Sequence, residues 1–133
     1  MTKKLFAAAV GLALLAIPAM AKDAVLTKQV HFDNGTTGTT AKGHVKGYDT
    51  VLYKLGAKAG QSMNVSIKSG QAHFNVYAPG KSQGDAAIFV GEPGIPYTGT
   101  LPANGTYTIS VYLMRSQARK GINAPYSLKM HID

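Results

Sequence analysis

The sequence predicts an all-β domain, folded as a compact antiparallel β-sandwich of about eight strands. Apolar and polar side chains alternate along most segments after residue 21, which is the period of a strand with one buried face. Turn-forming sequences recur roughly every ten residues. No segment in this part of the chain has the period of a convincing amphipathic helix. Short alternating strands joined by frequent turns are typical of two antiparallel sheets packed face to face.

The predicted strands follow one another along the whole chain after residue 21. Their alternation is clearest in residues 63–67, 107–113 and 126–132, where every second side chain is apolar. The other candidates are shorter or less regular, and the last of them is broken. They are Val25–Phe32, Thr39–Val45, Val51–Ala57, His73–Tyr77 and Ala86–Leu101.

The connections between these segments have the chemistry of tight turns. Glycine adopts positive φ without strain, proline presets φ, and asparagine and aspartate bond their own backbone. No internal repeat, low-complexity tract or linker separates the segments, so we expect a single domain. The turn sequences are Asp33-Asn34-Gly35, Lys58-Ala59-Gly60-Gln61, Ser69-Gly70, Pro79-Gly80, Pro93-Gly94 and Pro102-Ala103-Asn104-Gly105.

The first 21 residues have the three parts of a secretory signal peptide. A pair of lysines is followed by the apolar run Leu5–Ile17 and then by the cleavage-site sequence Ala19-Met20-Ala21. The apolar run is shorter than the roughly 20 residues of a membrane span. We therefore expect cleavage after residue 21, leaving residues 22–133 as one domain, free in the periplasm or secreted and without a membrane anchor.

The sequence contains no cysteine. This excludes disulfides, thiol nucleophiles, zinc–thiolate sites and the lipid-modified cysteine by which bacteria anchor exported proteins. About 110 residues are enough to bury a core without such cross-links. We expect the domain to fold as a monomer.

The chain is basic, with a formal net charge of +8, of which +6 remains once Lys3 and Lys4 are removed. Basic proteins often bind nucleic acid, but an exported chain seldom meets it, and we expect no nucleic-acid partner. Two interpretations stay open: a solvated lysine surface, or a surface for anionic polymers of the envelope. Because the lysines are dispersed along the chain, we expect weak retention on peptidoglycan.

Residue patterns argue against an enzyme. The chain has no G-x-S-x-G elbow, H-E-x-x-H motif, P-loop or G-x-G-x-x-G sequence. Nothing in the spacing of the aspartates and the single glutamate predicts a catalytic carboxylate pair. The four histidines lie on separate predicted strands, without the close spacing of metal ligands. We predict a non-enzymatic protein without metal or cofactor.

Two connections carry side chains that a plain turn does not require. The sequence Lys46-Gly47-Tyr48-Asp49 places a large aromatic side chain on a tight turn, where burial is difficult to arrange. In the last connection, Arg115 and Arg119 would point the same way within one turn of helix. Two guanidinium groups on one edge suit carboxylates or phosphates. The residues alone thus predict an anion-binding loop edge, with a solvated arginine pair as the alternative.

Several short segments between about residue 43 and residue 132 match, in order and spacing, those of a known protein family. They are Lys46-Gly47-Tyr48-Asp49 with Tyr53, Ala57-Lys58-Ala59-Gly60-Gln61, Val65-Ser66-Ile67, Pro79-Gly80, Leu101-Pro102-Ala103-Asn104-Gly105-Thr106-Tyr107, Arg115-Ser116-Gln117-Ala118-Arg119-Lys120 and Tyr126. In order and spacing the chain resembles the periplasmic inhibitors of g-type lysozyme that bacteria use against host lysozyme. Each segment alone is weak, and together they are fairly specific. Residues 80–96 match poorly, and no contact is carried over there.

The resemblance implies a β-sandwich similar to bacterial pre-peptidase C-terminal domains, whose loop residues plug the active-site cleft of lysozyme. The family's contact residues fall on Tyr48, Arg115 and Arg119. The Leu-Pro-x-x-Gly-x-Tyr turn is similar to a loop that several inhibitor families insert near the catalytic centre, although serine usually stands where this chain has Asn104. The residues expected to bind lysozyme are Tyr48, Asp49, Asn104, Gly105, Tyr107, Arg115 and Arg119.

The implied mechanism is electrostatic as well as steric. Lysozyme needs a protonated glutamic acid to protonate the leaving oxygen of its substrate. An arginine beside that carboxyl group would lower its pKa, while the plug excludes the glycan. The alternative hypothesis is a non-inhibitory module that holds anionic peptidoglycan or lipopolysaccharide through its lysines.

Overall fold

Nine strands and one short helix build the domain, in a computed structural model that describes residues 23–32 and 37–133. The predicted signal peptide and the predicted turn at 33–35 lie outside the described residues. The elements are β1 (Val25–Gln29), β2 (Gly38–Lys46), β3 (Thr50–Ala57), β4 (Ser62–Ser69), β5 (His73–Tyr77), β6 (Phe89–Gly91), β7 (Tyr97–Thr100), β8 (Gly105–Tyr112), α1 (Arg115–Ala118) and β9 (Asn123–Ile132).

The strands form two sheets, which confirms the predicted β-sandwich. One sheet has the order β1-β3-β8-β5-β6 and the other the order β2-β9-β4-β7. The predicted broken stretch at 86–101 holds two strands in place of one, because the Pro93–Gly94 turn lies between β6 and β7. These two strands belong to different sheets, so the chain crosses between the layers at this turn.

One strand pair departs from the predicted antiparallel arrangement. β1 runs parallel to β3, with Val25 opposite Thr50, whereas the other pairs are antiparallel. The reason is that β2 lies in the other sheet, so β1 and β3 are not joined by a hairpin. All five residues of β1 are exposed, as befits the edge of a sheet.

The core lies between the two sheets and follows the predicted alternation. Along β9, for example, Leu128 and Met130 are fully buried while Lys129 between them is exposed. A polar contact crosses this core, since the hydroxyl groups of Tyr53 on β3 and Tyr126 on β9 share a hydrogen bond of 2.7 Å. The largest fully buried side chains are Tyr53, Tyr107, Phe74, Leu55, Met63, Leu101, Ile109, Leu128, Met130, Val45, Val65 and Val76.

A glycine on the neighbouring strand makes room for this hydrogen bond. Gly43 of β2 pairs with Tyr126, and a Cβ atom at Gly43 would lie 2.9 Å from the Tyr126 hydroxyl oxygen. The tyrosine ring therefore lies across the glycine, in the space that a larger residue would fill. This close approach requires a residue without a side chain at position 43.

Within the described ranges, 23–32 and 37–133, no helix combines the length and the apolar character needed to cross a bilayer. α1 is a single turn, consistent with the absence of an amphipathic helix pattern in the sequence.

We expect Gly43→Ala to destabilise the domain by about 1 to 3 kcal/mol, because the new methyl group displaces the Tyr126 ring from a filled core. Thermal unfolding followed by circular dichroism measures the change. Gly56→Ala is the matched control: Gly56 also lies on a strand, has an ordinary φ and has no atom within 4 Å of an added Cβ. A loss of similar size in both variants would contradict this account of position 43.

The buried tyrosine pair predicts loss of stability in alkali. Burial raises the pKa of both Tyr53 and Tyr126 above the ordinary 10.0, so the folded state favours the neutral hydroxyls. Their contribution is complete below pH 10 and is lost as the pH rises above it. We expect the melting temperature to fall progressively as the pH rises above about 10.

Comparing the single variant Tyr126→Phe with the double variant Tyr53→Phe/Tyr126→Phe separates the contribution of the hydrogen bond to stability from that of ring packing. The single change leaves the Tyr53 hydroxyl buried without a partner and costs about 1 to 3 kcal/mol, whereas the double change is closer to neutral. The double variant also loses less stability in alkali. An alkaline transition as steep as in the unsubstituted protein would refute the assignment to this pair.

Candidate functional site

The predicted site residues lie at two opposite ends of the sandwich. β3 and β8 are antiparallel, with Val51 opposite Val111 at one end and Ala57 opposite Gly105 at the other. An eight-residue strand spans about 25 Å. The first end, which we call the arginine end, consists of residues 46–49 and 114–122. The second carries the 101–105 loop.

Tyr48 lies at the tip of the tight turn that joins β2 to β3. The turn is closed by the Asp49 amide, which donates a hydrogen bond of 3.0 Å to the carbonyl of Lys46. Gly47 adopts a φ of 59°, a conformation that favours glycine. The Tyr48 side chain is 49% exposed. The prediction that this aromatic residue stays outside the core is confirmed.

Arg115 is the first residue of the single helical turn α1, and Arg119 directly follows its last residue. The Arg119 amide donates to the carbonyl of Arg115 at 2.9 Å, the i to i+4 bond that brings the two residues to the same face. Ala118 between them is buried and anchors the turn to the core. Both arginines are exposed, and in the described part of the chain neither guanidinium group makes an ion pair or hydrogen bond. Their donors are free to bind an external anion.

A backbone contact joins the turn at residues 46–49, which we call the tyrosine turn, to the connection at residues 114–122, which we call the arginine connection. The Gly47 amide donates to the carbonyl of Ile122 at 3.0 Å. A Cβ atom built on Gly47 would lie 3.7 Å from the carbonyl oxygen of Ala118. Tyr48, Arg115 and Arg119, predicted separately from two distant parts of the sequence, therefore share one end of the molecule.

Asp49 has a structural contact within the arginine end. Its Oδ1 atom accepts a hydrogen bond of 2.9 Å from the Ala24 amide, and the Thr50 amide donates to the Ala24 carbonyl at 2.9 Å. These two bonds fix the start of β1 against β3. The Asp49 carboxylate is thus directed at the chain's own backbone.

Buried and backbone contacts hold the 101–105 loop at the opposite end. Tyr107 is fully buried, and its hydroxyl donates to the Ala103 carbonyl at 2.7 Å and accepts from the Ala103 amide at 3.1 Å. The Oδ1 atom of Asn104 accepts from the Ala59 amide at 2.8 Å. Gly105 has a φ of 138°, and a Cβ there would lie 2.9 Å from Pro79. Asn104 therefore holds the 101–105 loop against the turn between β3 and β4, which contains Ala59.

An apolar patch beside Arg115 was missed by the sequence analysis. Val90, Ile95 and Met114 are large, exposed apolar residues, and they line, together with His73, Tyr112 and the exposed Glu92, a depression of about 270 Å³. Met114 directly precedes α1 and is itself part of the arginine end, so the patch is continuous with that end. Residues 80–96, which supply Val90 and Ile95, show no clear alternation of apolar and polar side chains, so periodicity could not identify this patch. The one available signal in the sequence was Met114, an apolar residue next to Arg115.

No group of three or more metal-binding side chains occurs in residues 23–32 and 37–133. In the same ranges, the only side-chain contact between a basic and an acidic residue joins His131 Nε2 and the Asp133 carboxylate at 2.9 Å. The described residues thus suggest recognition of a partner by exposed cations and apolar side chains.

Comparison with known proteins identifies relatives that cover most of the chain. No protein-family model matches the chain. The inhibitor of g-type lysozyme from Escherichia coli K12 is 32% identical over 104 residues, which are 77% of this chain and 78% of that protein. The crystal structure of the periplasmic inhibitor of g-type lysozyme from Aeromonas hydrophila is 45% identical, with a TM-score of 0.81, covering 84% of this chain and all of that one.

A more distant likeness concerns the fold alone. The pre-peptidase C-terminal domain of a Bacillus anthracis collagenase is 12% identical and has a TM-score of 0.51, covering 85% of this chain and 98% of that domain. The expected similarity to such domains is therefore confirmed for the architecture.

The contacts of Tyr107 predict that its hydroxyl matters for stability. We expect Tyr107→Phe to lower the free energy of unfolding by about 1 to 3 kcal/mol, because it leaves the Ala103 amide and carbonyl without their partner. Denaturant unfolding measures this loss. Tyr48→Phe, which removes the same hydroxyl from an exposed side chain, should change stability by less than about 0.5 kcal/mol. Equal stability of the two variants would contradict a role for Tyr107 in closing the loop.

Proposed function

This chain belongs to the family of periplasmic inhibitors of g-type lysozyme, and we propose that it inhibits g-type lysozyme by inserting its arginine end into the active-site cleft. The observation that carries the proposal is that the exposed Tyr48 turn and the two exposed arginines lie together at one end of the fold. We further propose that residues 1–21 are removed on export and that the inhibitor acts in the periplasm, protecting peptidoglycan there.

The two arginines supply the electrostatic part of the inhibition. A lysozyme donates a proton from a carboxylic acid whose pKa is held above its usual range. A guanidinium group beside that acid favours the carboxylate and lowers its pKa, so the acid is no longer protonated when the substrate needs it. Arginine suits this task because it stays charged and binds a carboxylate through two parallel hydrogen bonds.

Tyr48 supplies an aromatic anchor. Tyrosine buries a large area with few rotatable bonds and is enriched among residues that dominate binding energy. The turn that carries it is already bonded to Ile122, and α1 is held by buried Ala118. Such preorganised loops lose little conformational entropy on binding, which favours affinity.

The apolar patch of Val90, Ile95 and Met114 widens the proposed contact surface. It adjoins Arg115 through Met114, so a lysozyme that receives the arginines covers part of it as well. Apolar side chains around a charged contact exclude water, and this strengthens the interaction between guanidinium and carboxylate.

The 101–105 loop has a different role in this proposal. It lies about one strand length, or about 25 Å, from Tyr48, so a plug formed by the arginine end leaves it outside the cleft. We infer that Asn104, Gly105 and Tyr107 act by holding the fold together through their bonds to Ala59 and Ala103. Asp49 likewise acts by positioning β1 and the tyrosine turn.

We predict that Arg115→Ala and Arg119→Ala each weaken inhibition of a g-type lysozyme by roughly 30- to 1000-fold, because a carboxylate buried at the contact loses its partner. Tyr48→Ala should lose a comparable amount. Inhibition is measured by titrating each variant against one lysozyme in a cell-wall lysis assay, with melting temperatures recorded in parallel.

Two matched controls complete this series. Lys120→Ala removes a cation one residue beyond the pair, at the rim, and should change inhibition little. Asn104→Ala tests the opposite end and should lower stability without changing inhibition of the folded protein. Small, equal effects at Tyr48, Arg115, Arg119 and Lys120 would refute the plug. Strong loss of inhibition in stably folded Asn104→Ala would place the contact at the opposite end instead.

A further inference from the structure

Three lysines form a triangle on the outer face of the β2-β9-β4-β7 sheet. Ser127 of β9 pairs with Lys42 of β2 on one side and with Lys68 of β4 on the other. Lys129 lies two residues further along β9 and so points to the same face. The sequence prediction of dispersed lysines is wrong for these three, because strands distant in sequence are neighbours in this sheet.

The spacing of the triangle follows from the strand register. Lys129 is the diagonal neighbour of both Lys42 and Lys68, at about 7 to 8 Å between Cα atoms. Lys42 and Lys68 are separated by one intervening strand, which is about 10 Å. All three are exposed. The face therefore presents three ammonium groups within reach of one small ligand.

No negative charge on this sheet compensates the three lysines. β2, β4, β7 and β9 contain no aspartate or glutamate, and none of the three lysines forms an ion pair within the described ranges. Three like charges this close on one face of a sheet repel one another. An anion bound at this face would remove that repulsion, as well as gaining three charge-assisted hydrogen bonds.

The lysines border two depressions that share Lys68 and Ser127. The larger, of about 540 Å³, is lined by Lys68, Lys129 and hydroxyl-bearing residues, with the Pro93–Gly94 turn as its rim. The smaller, of about 340 Å³, is lined by Lys42, Lys68 and Ser127. Volumes of this size accommodate small organic ligands. The hydroxyl groups available to a ligand are those of Thr40, Ser66 and Ser127, because the Ser69 hydroxyl, which also lines the larger depression, already donates to the Pro125 carbonyl and accepts from the Gln71 and Ala72 amides.

We propose that this lysine face binds a phosphorylated glycan, with phosphate groups on the lysines and sugar hydroxyls on the serine and threonine side chains. Lysine binds phosphate as a point charge, and three uncompensated ammonium groups on one face suit a phosphate group, which carries up to two negative charges, better than a carboxylate, which carries one. None of the large exposed apolar residues lines the two depressions, so the face has no side chain to insert into a bilayer. This favours a hydrated ligand over a membrane surface.

The lysine face and the arginine end are separate surfaces. Lys42 lies four residues before Lys46 on the same strand, which is about 13 Å from the arginine end. The protein can therefore hold a phosphorylated envelope glycan and still present the arginine end. Retention on the envelope would raise the inhibitor's concentration where peptidoglycan needs protection.

Isothermal titration of the purified protein with a glucosamine disaccharide carrying two phosphates tests the proposal. We expect saturable binding, absent for the unphosphorylated disaccharide and much weaker for inorganic phosphate. The triple variant Lys42→Gln/Lys68→Gln/Lys129→Gln should lose affinity by about tenfold or more. The control Lys28→Gln/Lys58→Gln/Lys81→Gln removes the same charge elsewhere and should lose less than about twofold.

Several outcomes would overturn the proposal. Equal loss in both triple variants would indicate nonspecific attraction by net charge. Equal binding of the unphosphorylated sugar or of peptidoglycan would contradict phosphate recognition, and binding to phosphatidylglycerol vesicles without binding to the disaccharide would indicate a membrane surface. Lysozyme inhibition by the lysine-face variant should be unchanged, so this test and that of the arginine end succeed or fail independently. Exposed Lys→Gln changes leave the melting temperature nearly unaltered.

Discussion

The two sheets are aligned by a filled core, which the hydrogen bond between Tyr53 and Tyr126 crosses, and the proposed binding end depends on that alignment. Tyr53 is the fourth residue of β3, the strand that follows the Tyr48 turn, and Tyr126 is the fourth residue of β9, the strand that follows the loop of the two arginines. Joining these two strands therefore joins the two loops that carry Tyr48 and the arginines. Gly43 permits the bond, because any side chain there would occupy the space of the Tyr126 ring.

Both ends of the sandwich carry loops that are braced against a neighbour. At the arginine end, Gly47 bonds Ile122, and Asp49 bonds the segment before β1. At the opposite end, Tyr107 and Asn104 tie the 101–105 loop to itself and to the next turn. These contacts leave different groups exposed at the two ends. The arginine end presents two exposed arginines and the Tyr48 ring, whereas at the opposite end Tyr107 and Asn104 bond the chain's own backbone.

Arginine and lysine are divided between two surfaces, and the chemistry of each cation suits its surface. The arginines lie on a protruding turn, where a planar fork can enter a cleft and bind a carboxylate. The lysines lie on an open sheet face beside hydroxyl groups, where point charges suit phosphate. Many lysozymes are themselves basic, so a basic inhibitor gains little from long-range attraction. A lysine face directed at the envelope would give the positive charge a use that lysozyme binding does not.

The sequence by itself determined the β-sandwich, the strands with strong alternation, the exposure of Tyr48 and the shared direction of Arg115 and Arg119. These features depend on residues close together in the chain, whose geometry follows from the period of a strand or a helical turn. Only the tertiary structure decided that β1 is parallel to β3, that the 101–105 loop lies at the end opposite Tyr48, and that Lys42, Lys68 and Lys129 are neighbours. Each of these depends on which strands pair and in what register, and pairing between distant segments is set by the packing of the whole core, which local periodicity does not encode.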